Sequence, residues 1–155
     1  MKKILLISFL TILFSQNEVC FEIQENPYPN HQALGCFTKY ISVLDCFDVY
    51  AESTVSDDKV LHVAAVIAEL LDNGEDGEVD DQMLKNKLND ENALMPVFTS
   101  DGNACMNQFF NNYNEDGVSA VLWRNEIDPS NPGHWGDDAT VEEVLHTINH
   151  VGHVS

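Results

Sequence analysis

Three histidines, His146, His150 and His153, fall within eight positions near the C-terminus, just after the adjacent acids Glu142 and Glu143. On a helix, Glu142, His146 and His150 are spaced i, i+4, i+8 and lie along one stripe. Glu143, three residues before His146, faces nearly the same way. Two imidazoles one turn apart beside a carboxylate can close around a divalent transition metal at about 2.0–2.2 Å per ligand. Zinc is the first expectation for such a set, with His62, Glu126 and either His134 or Asp137 as the residues able to complete it. With one coordination position left open, a bound water could be activated, Glu142 or Glu143 acting as general base. That is metallohydrolase chemistry. The His-Glu-x-x-His signature of zincin proteases is absent, however, because Thr147 follows His146 where the zincin has its Glu. The competing reading makes Glu142 and Glu143 ordinary residues at the positive end of a helix and the histidines polar groups near its C-terminus.

A second set of ligand types lies at Asp72-Asn-Gly-Glu-Asp-Gly-Glu-Val-Asp-Asp81. A calcium loop of the EF-hand type wants oxygen ligands at positions 1, 3, 5, 7 and 9, Gly at 6 and Glu at 12. Counting from Asp72, position 5 is Asp76, position 6 is Gly77, position 7 (a backbone carbonyl) is Glu78 and position 9 is Asp80. Position 3 is Gly74 and position 12 is Met83, so two ligands are lost. The expectation is a degenerate cation loop between two helices, with calcium its natural occupant. The bland alternative is an acidic, glycine-containing connection.

These residues need elements to position them. A helix from Asp57 to Leu71, apolar over most of its circumference, is expected as the buried centre, with Ser56 at its N-cap and His62 on its polar stripe. A histidine so placed is either a satisfied core residue or one aimed at a site. Gln82 to Leu88 suits the short exiting helix of the loop. Before the central helix, residues 37–51 are rich in β-branched and aromatic types and read as one or two strands broken near Asp45. After it, 91–100 reads as a short strand in which Pro96 keeps either itself at an edge or its neighbour away. A short helix is expected at Met106 to Tyr113. Val118 to Arg124 reads as the clearest strand, delivering Glu126 at its end. A turn-rich loop carrying His134, Asp137 and Asp138 then leads to the last helix, capped by Asp138 or Thr140 and stopped by Gly152. The pattern indicates an α+β (or α/β) domain, a buried central helix against a small sheet.

Composition narrows the class. The chain of 155 residues suffices for one domain. Residues 1–15, with Lys2 and Lys3 before the apolar run Ile4 to Phe14, read as a secretory signal, followed by an irregular lead-in over 16–35 and one domain over 36–155. The formal net charge is −19, and loss of Lys2 and Lys3 takes it to −21. So acidic a surface repels nucleic acid and anionic membranes and attracts metal cations. No later stretch has transmembrane length, so a secreted protein without a membrane span is expected. Export favours disulfides among Cys20, Cys36, Cys46 and Cys105, in any of three connectivities; a local Cys36–Cys46 bridge would leave Cys20 with Cys105.

The runs Asp58-Lys-Val-Leu-His62, Leu71-Asp-Asn-Gly-Glu-Asp-Gly-Glu-Val-Asp80 and Asp138-Ala-Thr-Val-Glu-Glu-Val-Leu-His146 together resemble a family of exported proteins of unassigned function. In that family a DNDxDG loop follows a central helix, and a D-A-T-x-E-E-x-x-H helix comes later. The resemblance spans roughly residues 37–150 and implies a metal site from His62, Glu143 and His146 beside a calcium-like loop at Asp72, Asp76 and Asp80. This chain departs from the pattern at Gly74, and by that comparison it ends early, as a truncated copy would. Two functional classes follow: an exported metal-binding protein with a metallohydrolase-like His/Glu site, or a non-catalytic acidic calcium-binding or matrix protein.

Overall fold

The computed structural model describes residues 21–133 and 137–153, so the signal-like segment, Cys20 and His134 lie outside the described residues. The chain folds as a single α+β domain around a five-stranded mixed sheet of order β1-β2-β3-β4-β5. Strand β1 is Gln24–Glu25, β2 Lys39–Val43, β3 Phe47–Ala51, β4 Leu94–Phe98 and β5 Leu122–Trp123. The first three pair antiparallel, and β3, β4 and β5 run parallel. The helices are α1, Asp57–Leu71; α2, Gln82–Asp90; α3, Ala104–Asn112; and α4, Thr140–His153.

Strand alternation builds two cores from one sheet. The odd-numbered residues Ile41, Val43, Phe47, Val49, Met95 and Val97 pack with the inner faces of α1 and α4. The even-numbered Tyr50, Leu94 and Phe98 pack on the other side with Phe37 and with Cys105 and Phe109 of α3. Successive side chains on a strand point to opposite faces, so each strand serves both cores. Helix α1 buries Val60, Val63, Ala64, Ile67 and Leu71, an i, i+3, i+4, i+7, i+11 stripe that fits one apolar face. It packs against β2, β3 and α4, and α2 packs against α4.

The expected break near Asp45 is a hairpin turn in which Leu44 and Asp45 both take positive φ, 50° and 54°. Pro96 sits inside a wholly buried strand. The N–H groups of Asp48 and Glu52 reach Ala93 O and Val97 O, so Pro96 faces the β5 side. There β5 pairs only with Val97 and Phe98, and the proline's missing N–H costs no ladder bond.

Three expectations are corrected. The strand read over 118–124 contracts to Leu122–Trp123, because its partner strand offers no donor at Pro96 and the chain turns into a 3-10 helix at Arg124–Glu126. Ser56 occupies the N-cap of α1 in an extended conformation but makes no side-chain cap bond. Gly152 does not stop α4, which continues to His153. A Cβ at Gly152 would stand 3.2 Å from Leu84 Cδ1, so this glycine lets α2 and α4 approach. Among the pairings left open, the structure forms Cys36–Cys105, 69 residues apart, and leaves Cys46 a buried free thiol whose pKa burial pushes up to about 11.

The turn-rich lead-in is built into the domain. Asn26 is buried; its amide donates to Leu34 O (2.8 Å) and Phe37 O (3.0 Å), and its Oδ1 accepts from Tyr28 N (2.8 Å). A buried amide with all these bonds made fixes the path of the segment instead of destabilising it. The Cys36–Cys105 bridge then ties that segment to α3.

Candidate functional site

Helix α4 carries the expected stripe, and its orientation decides what the stripe can do. Val144, Thr147, Ile148 and Val151 face inward, so Glu142, His146 and His150 face solvent. His146 Nδ1 stands 3.4 Å from Glu143 Oε2, with 56% of its side chain exposed. An exposed pair of this kind contributes on the order of a few tenths of a kcal/mol. Glu126 comes from the 3-10 turn and uses Oε2 to accept Trp123 N at 3.3 Å. Burial raises its pKa, and the neighbouring charge of Glu143 raises it further. Glu126, Glu143 and His146 therefore share one neighbourhood.

His62 is held elsewhere. Its Nε2 lies 2.8 Å from Asp138 Oδ2, whose side chain is wholly buried. Asp138 also accepts from Gly133 N (3.0 Å), Thr140 N (3.2 Å) and Thr140 Oγ1 (2.5 Å). Burial works against this carboxylate's charge, but the Thr140 hydroxyl, Gly133 N–H, His62 ring and Thr140 N–H outweigh it and hold its pKa at about 2. The residue that closes the first turn of α4 is thus also the one that orients the histidine of α1. Sequence spacing pointed to Asp138 as a cap; nothing in it pointed to the bond with His62.

The 72–81 loop keeps the helix–loop–helix form that its spacing suggests. Helix α1 ends at Leu71, and α2 begins at Gln82 with Asp81 as N-cap, accepting from Met83 N and Leu84 N. Asp72 is nearly buried and accepts from Asp76 N (3.3 Å) and Gly77 N (2.7 Å). Gly77 has φ +87°, the left-handed conformation that the sixth loop position requires. Asp80 Oδ2 accepts from Asn73 N at 3.0 Å, and Asp80 N returns to Leu71 O at 2.9 Å, closing the loop at its base.

Three carboxylates turn toward Gly74. The point a Cβ would occupy there is 3.6 Å from Asp72 Oδ1, 3.7 Å from Asp80 Oδ1 and 4.0 Å from Asp76 Cγ. Glu78 takes the carbonyl-lending position, its N–H bonded to Asp76 Oδ1 at 3.1 Å. Met83, where a bidentate Glu would stand, is 77% exposed. Among the described residues, no group of three or more His, Cys, Asp or Glu side chains is already arranged to hold a metal ion.

No family model, curated protein or solved structure matches the chain. Among the described residues, no helix is long and apolar enough to cross a membrane.

Proposed function

We propose that this is an exported, acidic calcium-binding protein in which the 72–83 loop takes the cation, with Asp72, Asp76 and Asp80 as carboxylate ligands and the Glu78 carbonyl as a further oxygen. The observation that carries the reading is the convergence of the three carboxylates on the side-chain-free space at Gly74. The chain's charge of −19 supports it, since bound cations relieve self-repulsion in so acidic a fold. Without an acid at positions 3 and 12, the loop belongs at the weak end of the calcium range, with Kd on the order of 10⁻⁴–10⁻³ M, suited to extracellular concentrations. Water completes the shell.

A second reading, a transition-metal site of the hydrolase type at Glu126, Glu143 and His146, draws on the raised pKa of Glu126 beside Glu143. In it Glu143 or Glu142 serves as base, and His150 one turn on is the nearest additional imidazole of the helix. One experiment separates the two. Thermal unfolding is followed with calcium, with zinc and with a chelator, for the natural chain and for Asp76→Ala and His146→Ala. A calcium-dependent rise in Tm lost only in Asp76→Ala supports the loop. Stoichiometric zinc lost in His146→Ala, with calcium inert, overturns it in favour of the second reading.

A further inference from the structure

On the sheet face away from α1, the two layers do not close completely. The lead-in and the end of α3 leave a cavity of about 240 Å³ over the middle of β3. Its floor is set by register: Asp48 and Tyr50, two residues apart, point to the same side, and Ser42 and Tyr40 of β2 stand opposite them. Tyr28 comes from the lead-in, Tyr113 from the residue after α3, and Glu115 and His31 from the loops around them.

The lining has one sign of charge. Two carboxylates, Asp48 and Glu115, border the cavity, and among the described residues no Lys or Arg does. Asp48 accepts the Tyr40 hydroxyl at 2.9 Å. Burial raises the pKa of Asp48, and the hydroxyls of Tyr40 and Ser42 pull it back. The aromatic walls are held in place: Tyr113 stacks on Phe109 with centroids 4.7 Å apart and donates to Asn92 O at 3.3 Å. Tyr50 packs against Phe37 and Tyr40. Yet Tyr50, only 1% exposed, makes no hydrogen bond from its hydroxyl among the described residues, and it lines the cavity. The ring is buried, but the hydroxyl oxygen is reached from the cavity and is free to bond to whatever occupies it; the buried unpartnered polar atom among the described residues is Trp123 Nε1.

A half-buried carboxylate, a phenol oxygen without a bond in the fold and further tyrosine rings around about 240 Å³ suit an ammonium group on a short apolar tail. The ammonium N–H groups can donate to Asp48 and to Tyr50 Oη, and the rings attract cationic charge through their faces. A divalent metal is a poorer occupant, since calcium wants six to eight oxygens and only two carboxylates border this cavity, among tyrosine and leucine side chains. We propose that this cavity is a binding site for a small primary organic ammonium ion, separate from the calcium loop.

The test uses the full chain and 2-phenylethylammonium as the probe, with 2-phenylethanol as its neutral counterpart, followed by calorimetry and by the shifts of the tyrosine ring signals. The ammonium should bind at least tenfold more tightly than the alcohol. Asp48→Asn should weaken it tenfold or more. Tyr50→Phe should weaken it several-fold with Tm unchanged, because the lost hydroxyl has no bond within the fold; it decides the matter alone if Asp48→Asn does not fold. Equal binding of the alcohol, or unaltered binding by Tyr50→Phe, overturns the proposal. So does displacement of the ammonium by calcium in a chain carrying Asp76→Ala.

Discussion

At the scale of single residues, Asp138 concentrates more of the fold's polar bonding than any residue on the solvent-facing stripe of α4. Its carboxyl titrates near 2 when folded, against a usual 3.8. A depressed carboxylate pKa contributes stability that is complete above the unfolded value and is lost as pH falls through the folded one. Asp138→Asn should therefore cost about 2 kcal/mol at neutral pH by the equivalence of one pKa unit to about 1.4 kcal/mol. Urea unfolding should find the natural chain and the variant converging between about pH 4 and pH 2. Gly74 makes the opposite kind of prediction. Space for a Cβ exists there, with every neighbour at ordinary van der Waals distance. Gly74→Asp would place a fourth carboxylate on the cluster. It should tighten calcium binding about tenfold, since ligand charge sets affinity in such loops, and lower Tm in chelator through like-charge repulsion. Calorimetric titration checks the first effect and a melt in EDTA the second.

At the scale of elements, the helices were legible because their signals are local. Asp57 to Leu71 carries an apolar period, acids at its start and a glycine-rich acidic loop at its end, and the helix occupies those residues. The 37–51 strands were legible from β-branched and aromatic density; that Tyr40, Ser42, Asp48 and Tyr50 share a second face follows from the register. That this face would border a cavity was not legible, because the lead-in and α3 that wall it are distant in sequence and meet only in the fold, through Cys36–Cys105, the Gln108 Nε2 bond to Gln32 O and shared core packing. The orientation of α4 was likewise hidden. Both its faces carry helix-compatible residues, and only packing on α1 and α2 sends Val144, Ile148 and Val151 inward and the histidine stripe outward. The shortening of β5 also has a tertiary cause. Leu94 N bonds to Gly117 O at 3.0 Å, so the chain enters the sheet edge through Gly117. A Cβ there would stand 2.3 Å from the carbonyl oxygens of Glu91 and Asn92, backbone atoms that cannot turn aside. Gly117→Ala should accordingly cost about 3 kcal/mol, at the upper end of overpacking penalties. Denaturant unfolding that finds less than 1 kcal/mol would show that the 91–92 turn yields.

At the scale of the whole molecule, scarce cations and, among the described residues, one covalent bridge hold together a strongly acidic chain. Of the seven Lys and Arg residues, two lie in the signal-like segment, and two others act as internal staples. Lys39 Nζ joins Val55 O at 2.5 Å and Asp57 at 2.6 Å; Lys59 Nζ joins Arg124 O at 2.6 Å and Ile127 O at 2.5 Å. Both tie the start of α1 to neighbouring segments. The covalent bridge acts on the other side of the sheet, where Cys36 and Cys105 fasten the lead-in to α3. Closing a loop of about 70 residues restricts the unfolded chain by roughly 4 kcal/mol in the chain-entropy account, with about 2–4 kcal/mol the usual yield. The double variant Cys36→Ser/Cys105→Ser should lose that much, read as a fall in the urea midpoint. The loss should also be uneven across the molecule. The cavity walled by the lead-in and α3 lies on the bridged face, so its affinity for an ammonium probe should fall. The 72–83 loop is braced by α1, α2 and its own backbone bonds, so calcium affinity should be unchanged below the melting range. A parallel loss of both affinities at low temperature would mean that the two faces of the sheet do not loosen independently.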